Sequence, residues 1–200
     1  MFLDNLEKKD GHRNATLIMH TDPHDPEGPN LFQVTDHFGI ANNVFFSTER
    51  IEFEQMNMLY NVVDFTINIA YAEGFGLPTL EAMQAGTPAI AAKTGGLTRQ
   101  VVDHRDGSET GIPLEIYMTT LVGSQHVPYI NEDYVSPENA AQGIMRLYKM
   151  SSEERDSLSK KAREYALSEF DLDNTVRSWN NTLVELLNEW EYKPWTCKTF

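Results

Sequence analysis

Two glutamates, Glu73 and Glu81, stand eight positions apart in the run Glu73-Gly74-Phe75-Gly76-Leu77-Pro78-Thr79-Leu80-Glu81-Ala82-Met83. A second glycine turn, Thr94-Gly95-Gly96-Leu97, follows Gly86-Thr87-Pro88. Carboxylates hold hydroxyl groups well, and the open N–H groups of a helix start attract anions through their own partial charge and the helix dipole. Glu73 ends a run of strand length, and Glu81 lies one turn into the helix that follows it. Both are therefore expected to look into one crevice above the carboxyl edge of a sheet. The backbone from Gly76 through Leu77 to Thr79 supplies N–H donors, with Pro78 having none to give, and Gly95-Gly96 opens a second helix beside the same edge. Two anion-accepting helix starts and two carboxylates suit a ligand with a phosphate part and a hydroxyl-rich part. By position alone Glu73 can equally be a helix-capping acid, Glu81 a solvated helix residue and Gly95-Gly96 a plain turn. The phenyl ring of Phe75 is expected to fill core rather than stack on a base.

These residues need an alternating scaffold, and the chain supplies one. Hydrophobic runs of strand length alternate with amphipathic runs of helix length, the pattern of an α/β, doubly wound, Rossmann-like parallel sheet with helices on both faces. The opening Phe2, Leu3 and Leu6 resemble the tail of a helix, and a buried strand is expected over 15–19, followed by a Pro- and Gly-rich loop over 21–30. Helices over 31–38, 53–60 and 78–85 and strands over 44–47, 63–70 and 87–92 follow, and Gly95-Gly96 opens a helix to about Asp103. Residues 111–135 lose both periods and are expected to form an irregular insertion with one short strand. Ser136-Pro137-Glu138, Ser151 with Glu154, and Asp171 or Asp173 mark the starts of three closing helices. One domain over 1–192, lacking its first strand, with a tail over 193–200, accommodates all of this. Trp179, Trp190 and Trp195 are expected to pack between helices, with Trp190 and Trp195 instead exposed or buried in a partner chain where no second domain covers the last helix.

Composition removes several classes. The 200 residues carry 30 acidic against 16 basic side chains, a formal charge of -14, which disfavours nucleic-acid binding. No apolar run approaches the roughly 20 residues of a membrane span. The single Cys197 fits a reducing, cytoplasmic setting. His20 and His24 are separated by Pro23, so no helix displays both to a metal, and no metal site or cofactor is expected. Met19-His20-Thr21-Asp22-Pro23-His24 lacks the Gly-x-Gly-x-x-Gly of a dinucleotide-dependent oxidoreductase.

The wording from Glu73 to Met83, with Ala85-Gly86-Thr87-Pro88 and Thr94-Gly95-Gly96-Leu97, resembles the signature of retaining GT-B glycosyltransferases of the glycogen-synthase and sucrose-synthase-like group, in their carboxyl-terminal, nucleotide-sugar-binding domain. The resemblance extends more loosely from about Asn14 to Asp103 and over the final helices. It implies that Glu73 is the catalytic carboxylate holding donor-sugar hydroxyls, that Glu81 holds the ribose, and that the backbone at Phe75, Gly76, Leu77, Gly95 and Gly96 cradles sugar and phosphates, with Thr79 beside them. Such an enzyme transfers a sugar from a nucleotide diphosphate sugar to an acceptor, here unknown, without a metal. Its basic diphosphate clamp would precede this sequence, leaving Lys93 and Arg99 as candidate cations, and its amino-terminal acceptor domain would belong to a separate segment or another chain. Arg99 stands where relatives often carry an acid, and Ala70-Tyr71-Ala72 where Pro and Ser are commoner. The alternative is a binding module for a nucleotide or nucleotide sugar, inactive without that domain.

Overall fold

A computed structural model describes residues 1–192, apart from the side chain of Phe53. Trp195, Cys197 and the tail lie outside the described residues. The chain runs through α1 (Phe2–Asp10), β1 (Leu17–His20), α2 (Leu31–His37), β2 (Val44–Ser47), α3 (Phe53–Val62), β3 (Thr66–Asn68), α4 (Leu77–Ala85), β4 (Ala89–Ala92) and α5 (Thr98–Val101). It continues through β5 (Ile112–Leu114), β6 (Met118–Val122), β7 (Ile130–Tyr134), α6 (Pro137–Tyr148), α7 (Ser152–Glu169) and α8 (Leu172–Glu189). Local chemistry explains the boundaries. Asn30, Ser136 and Asp171 each accept a backbone N–H from the first turn of the helix they precede, and Ser151 with Glu154 closes a reciprocal capping box.

The α/β class holds, with parallel β1–β2 and parallel β3–β4–β5, but the sheet is divided: among the described residues no ladder joins β2 to β3. The middle strand β4 is buried along its whole length, as an apolar run covered on both faces should be. β1, expected as a buried strand, is half-exposed, and among the described residues its one ladder partner is β2. The third strand is also shorter than expected, since Asp64 and its neighbours turn before the ladder begins.

Ile90, Ile112, Leu114 and Leu147 form the main core between β4, β5 and α6. Leu80 and Met83 of α4 pack on Ala162, Tyr165 and Ala166 of α7, with Phe170 alongside. The segment 111–135 departs most from expectation. It contains β5 and an antiparallel hairpin, β6–β7, pairing Met118 with Tyr134 and Val122 with Ile130. Cross-strand pairing stabilises it without the clean alternation that marks a strand in sequence. α8 is helical as expected, but none of its residues is buried: Trp179 is 64% exposed rather than packed, and Trp190, at 73%, follows the exposed alternative.

Candidate functional site

The Glu73 loop leaves β3 through Asn68, whose Oδ1 accepts the Ala70 N–H at 3.1 Å. It then lies directly on the glycine turn that follows β4. The Gly96 N–H donates to the Glu73 carbonyl at 3.3 Å, and a β-carbon on Gly95 would stand 1.8 Å from that oxygen. A β-carbon on Gly96 would meet the carbonyls of Phe75 and Gly74 at 2.6 and 2.7 Å. The room left by these glycines is therefore filled by the Glu73–Phe75 backbone itself, and they serve by bringing the two loops together. Gln100, fully buried on α5, donates from Nε2 to the Phe75 carbonyl at 2.6 Å, while its Oε1 has no partner among the described residues.

α4 begins at Gly76, whose φ of +89° is a left-handed conformation, and a β-carbon there would fall 2.5 Å from Leu97 Cδ2. The carbonyl of Gly76 accepts the N–H groups of Thr79 and Leu80. The N–H groups of buried Gly76 and exposed Leu77 have no acceptor among the described residues, so they are the unpaired donors of this helix start. Thr79, by contrast, is turned into the protein: it is buried, its N–H is used, and its hydroxyl lies 3.5 Å from Asn68 Nδ2. Phe75 does not fill core. Its ring is 41% exposed and meets Phe170 edge-on at 5.7 Å, because the loop lies over the end of α7.

Glu73 is half-buried at the loop's start, and Glu81 is half-buried on α4. Glu81 Oε2 accepts the hydroxyl of Tyr60 at 2.7 Å, leaving Oε1 with no donor among the described residues. Tyr60 comes from α3 and is 8% exposed, and its own carbonyl accepts the Thr87 hydroxyl at 2.7 Å. Burial, reinforced by the hydrogen bond to the Glu81 carboxylate, pushes the phenol pKa up, so Tyr60 remains a donor across the working pH range.

Both candidate cations are engaged elsewhere. Lys93 Nζ meets Glu115 at 2.9 Å, and Arg99 pairs with Glu169 of α7 at 2.6 Å while contacting the His104 ring. Among the described residues no group of three His, Cys, Asp or Glu side chains could hold a metal, and no helix is long and apolar enough to cross a membrane.

The β6–β7 hairpin reaches this edge. The Asp133 carboxylate accepts the hydroxyls of Thr119 at 2.6 Å and Thr94 at 2.7 Å, which hold its pKa below the usual range, and the Asp133 N–H donates to the Tyr71 carbonyl at 2.7 Å. Tyr71 and Tyr134 stack with ring centroids 4.4 Å apart. Thus Asp133 ties the exit of β3, two residues before Glu73, to Thr94, the residue before Gly95. Tyr60, Gln100 and Asp133 escaped the reading of the sequence. Tyr60 carries a helical packing period, and nothing local marks its hydroxyl as a partner of Glu81, 21 residues away.

This arrangement, a parallel α/β core with glycine-rich helix starts at its carboxyl edge, is the architecture of a GT-B glycosyltransferase half. The model of the group 1 glycosyltransferases matches residues 1–117, and the chain belongs to that family. It is 31% identical over 121 residues to D-inositol 3-phosphate glycosyltransferase 2 of Catenulispora acidiphila, an alignment that covers 60% of this chain and 28% of the relative. The fold is similar to sucrose-phosphate synthase of Thermosynechococcus elongatus, with a TM-score of 0.63 at 22% identity, covering 88% of this chain and 39% of that one. It is also similar to Anabaena Alr3699/HepE, solved in complex with UDP, with a TM-score of 0.58 at 19% identity over 92% of this chain and 53% of that one. The chain thus spans little more than a quarter of the length of the curated relative.

Proposed function

We propose that this chain is the donor-binding half of a glycosyltransferase that moves a sugar, with retention and without a metal, from a nucleotide diphosphate sugar to an acceptor. The observation that carries this is the pair of uncommitted N–H groups at Gly76 and Leu77, on the helix start flanked by the half-buried carboxylates Glu73 and Glu81. In transfer, the bond between the anomeric carbon and the phosphate oxygen breaks with its electron pair passing to the diphosphate. The acceptor oxygen bonds to the same carbon, and its proton leaves with the departing phosphate. Positive charge develops on the sugar ring and negative charge on the diphosphate. Glu73 holds the sugar hydroxyls beside the reacting carbon, Glu81 holds the ribose, and the Gly76–Leu77 donors, supported by the Gly95-Gly96 turn, take the diphosphate. Lys93 and Arg99 join them on exchanging Glu115 and Glu169 for phosphate. An amino-terminal acceptor domain, on the same or another chain, supplies the opposite wall.

A relative named for inositol phosphate glycosyl transfer and a neighbour of this fold solved with UDP support the donor class. The commitment of Lys93 and Arg99 to carboxylates favours a second reading, a binding module that holds the nucleotide sugar without turning it over. Thermal unfolding with UDP-, GDP- and ADP-glucose tests the shared part: at least one should raise the melting temperature, and Glu81→Ala should abolish the rise. Release of free nucleoside diphosphate by the chain, lost in Glu73→Ala, separates enzyme from module.

A further inference from the structure

We infer that Tyr60 is a positioning residue for the donor site: its buried hydroxyl fixes the Glu81 carboxylate so that Oε1 faces the ribose hydroxyls of a nucleoside diphosphate. This rests on the donor-binding reading of Glu81 and adds to it a residue from a different helix. A glutamate on a half-exposed helix face has three side-chain torsions, and ordering them on ligand binding costs affinity. Here one oxygen is already anchored at 2.7 Å by a donor that is 8% exposed. Tyr60 is itself held at its backbone by the Thr87 hydroxyl at 2.7 Å, so the anchor is mounted on the junction between α3 and the turn before β4. With Oε2 occupied, the carboxylate's remaining acceptor positions, chiefly on Oε1, are the ones left for a vicinal diol. Loss of the phenol hydroxyl frees the torsions and leaves a half-buried carboxylate oxygen without its donor.

The test is a cycle between protein and ligand. Calorimetry measures affinity for UDP, GDP and ADP and for the 2′,3′-dideoxy form of each, using the wild-type chain, Tyr60→Phe, Glu81→Ala and Thr87→Val. Tyr60→Phe should weaken the best ribonucleotide roughly fivefold while leaving its dideoxy counterpart unchanged, and it should have no further effect in the Glu81→Ala background. Thr87→Val loosens that mount without touching the phenol–carboxylate bond, so its loss should be ribose-specific too, and smaller than that of Tyr60→Phe. If Tyr60→Phe weakens ribo and dideoxy forms equally, or still weakens the ribonucleotide in the Glu81→Ala background, Tyr60 supports only packing and the inference fails while donor binding stands. If Glu81→Ala has no effect on a ribonucleotide that binds, or if no nucleotide binds the wild-type chain, the reading of Glu81 fails and the inference falls with it.

Discussion

Gly95 sits against the carbonyl of Glu73 so closely that a β-carbon would lie 1.8 Å from its oxygen, and Gly95 itself has a φ of +46°. The two loops of the candidate site are thus a single packed unit. Gly95→Ala cannot be accommodated without moving backbone and should cost about 3 kcal/mol or more of stability. Gly74→Ala is the internal control, because a β-carbon there meets nothing within 4 Å, and it should change stability by less than ~0.5 kcal/mol. Urea unfolding of both variants checks the contrast.

Asp133 ties the hairpin to both loops through Thr94 and the Tyr71 carbonyl, while its other carboxylate oxygen accepts the hydroxyl of Thr119 within the hairpin. Asp133→Ala should lower stability by about 1–3 kcal/mol, since it leaves a buried Thr94 hydroxyl without its acceptor. Hydrogen exchange should quicken at 71–73 and 94–96 together. Exchange confined to the hairpin would show that the tether does not reach the loops.

Acid sensitivity follows from Asp103, which the Arg105 guanidinium beside it holds down to about 2, against partly opposing desolvation. A carboxyl lowered in the folded state stabilises that state above its ordinary pKa near 3.8, and this contribution is lost as pH falls from there through about 2. Asp103→Asn should therefore flatten the fall in stability over that window. An unchanged acid limb in equilibrium unfolding would contradict the assignment.

The exposed face of α8 makes its own demand. Leu183 and Leu187 are 51% and 74% exposed, and the helix buries none of its residues. Leu183→Ser with Leu187→Ser should leave the stability of the chain within ~0.5 kcal/mol, as surface substitutions do. A fall of several degrees in melting temperature would mean that the helix packs where the structure leaves it free.

What was legible in the sequence was local. The caps at Ser136 and Ser151, the helix Leu77–Ala85 with its stop at Gly86 and the buried run at Ala89–Ala92 announce themselves through neighbours within four residues. The Glu73–Glu81 and Gly95–Gly96 spacings were legible for the same reason. The break between β2 and β3 depends on which strands find ladder partners, and the partners of Asp133 are 39 and 14 residues away, so no period carries them. The glycine pair was recognised but its nearest neighbour was not: the sequence suggests a ligand there, and the structure puts the carbonyl of Glu73 against it.

Donor binding at the start of α4 is tested most directly by amide proton–nitrogen correlation spectra recorded while UDP-, GDP- and ADP-glucose are titrated in. With at least one of them, the account predicts saturable shifts at Gly76 and Leu77, accompanied by Glu81, and their disappearance in Glu81→Ala. Shifts that avoid these two amides, or none with any of the three nucleotide sugars, would contradict it.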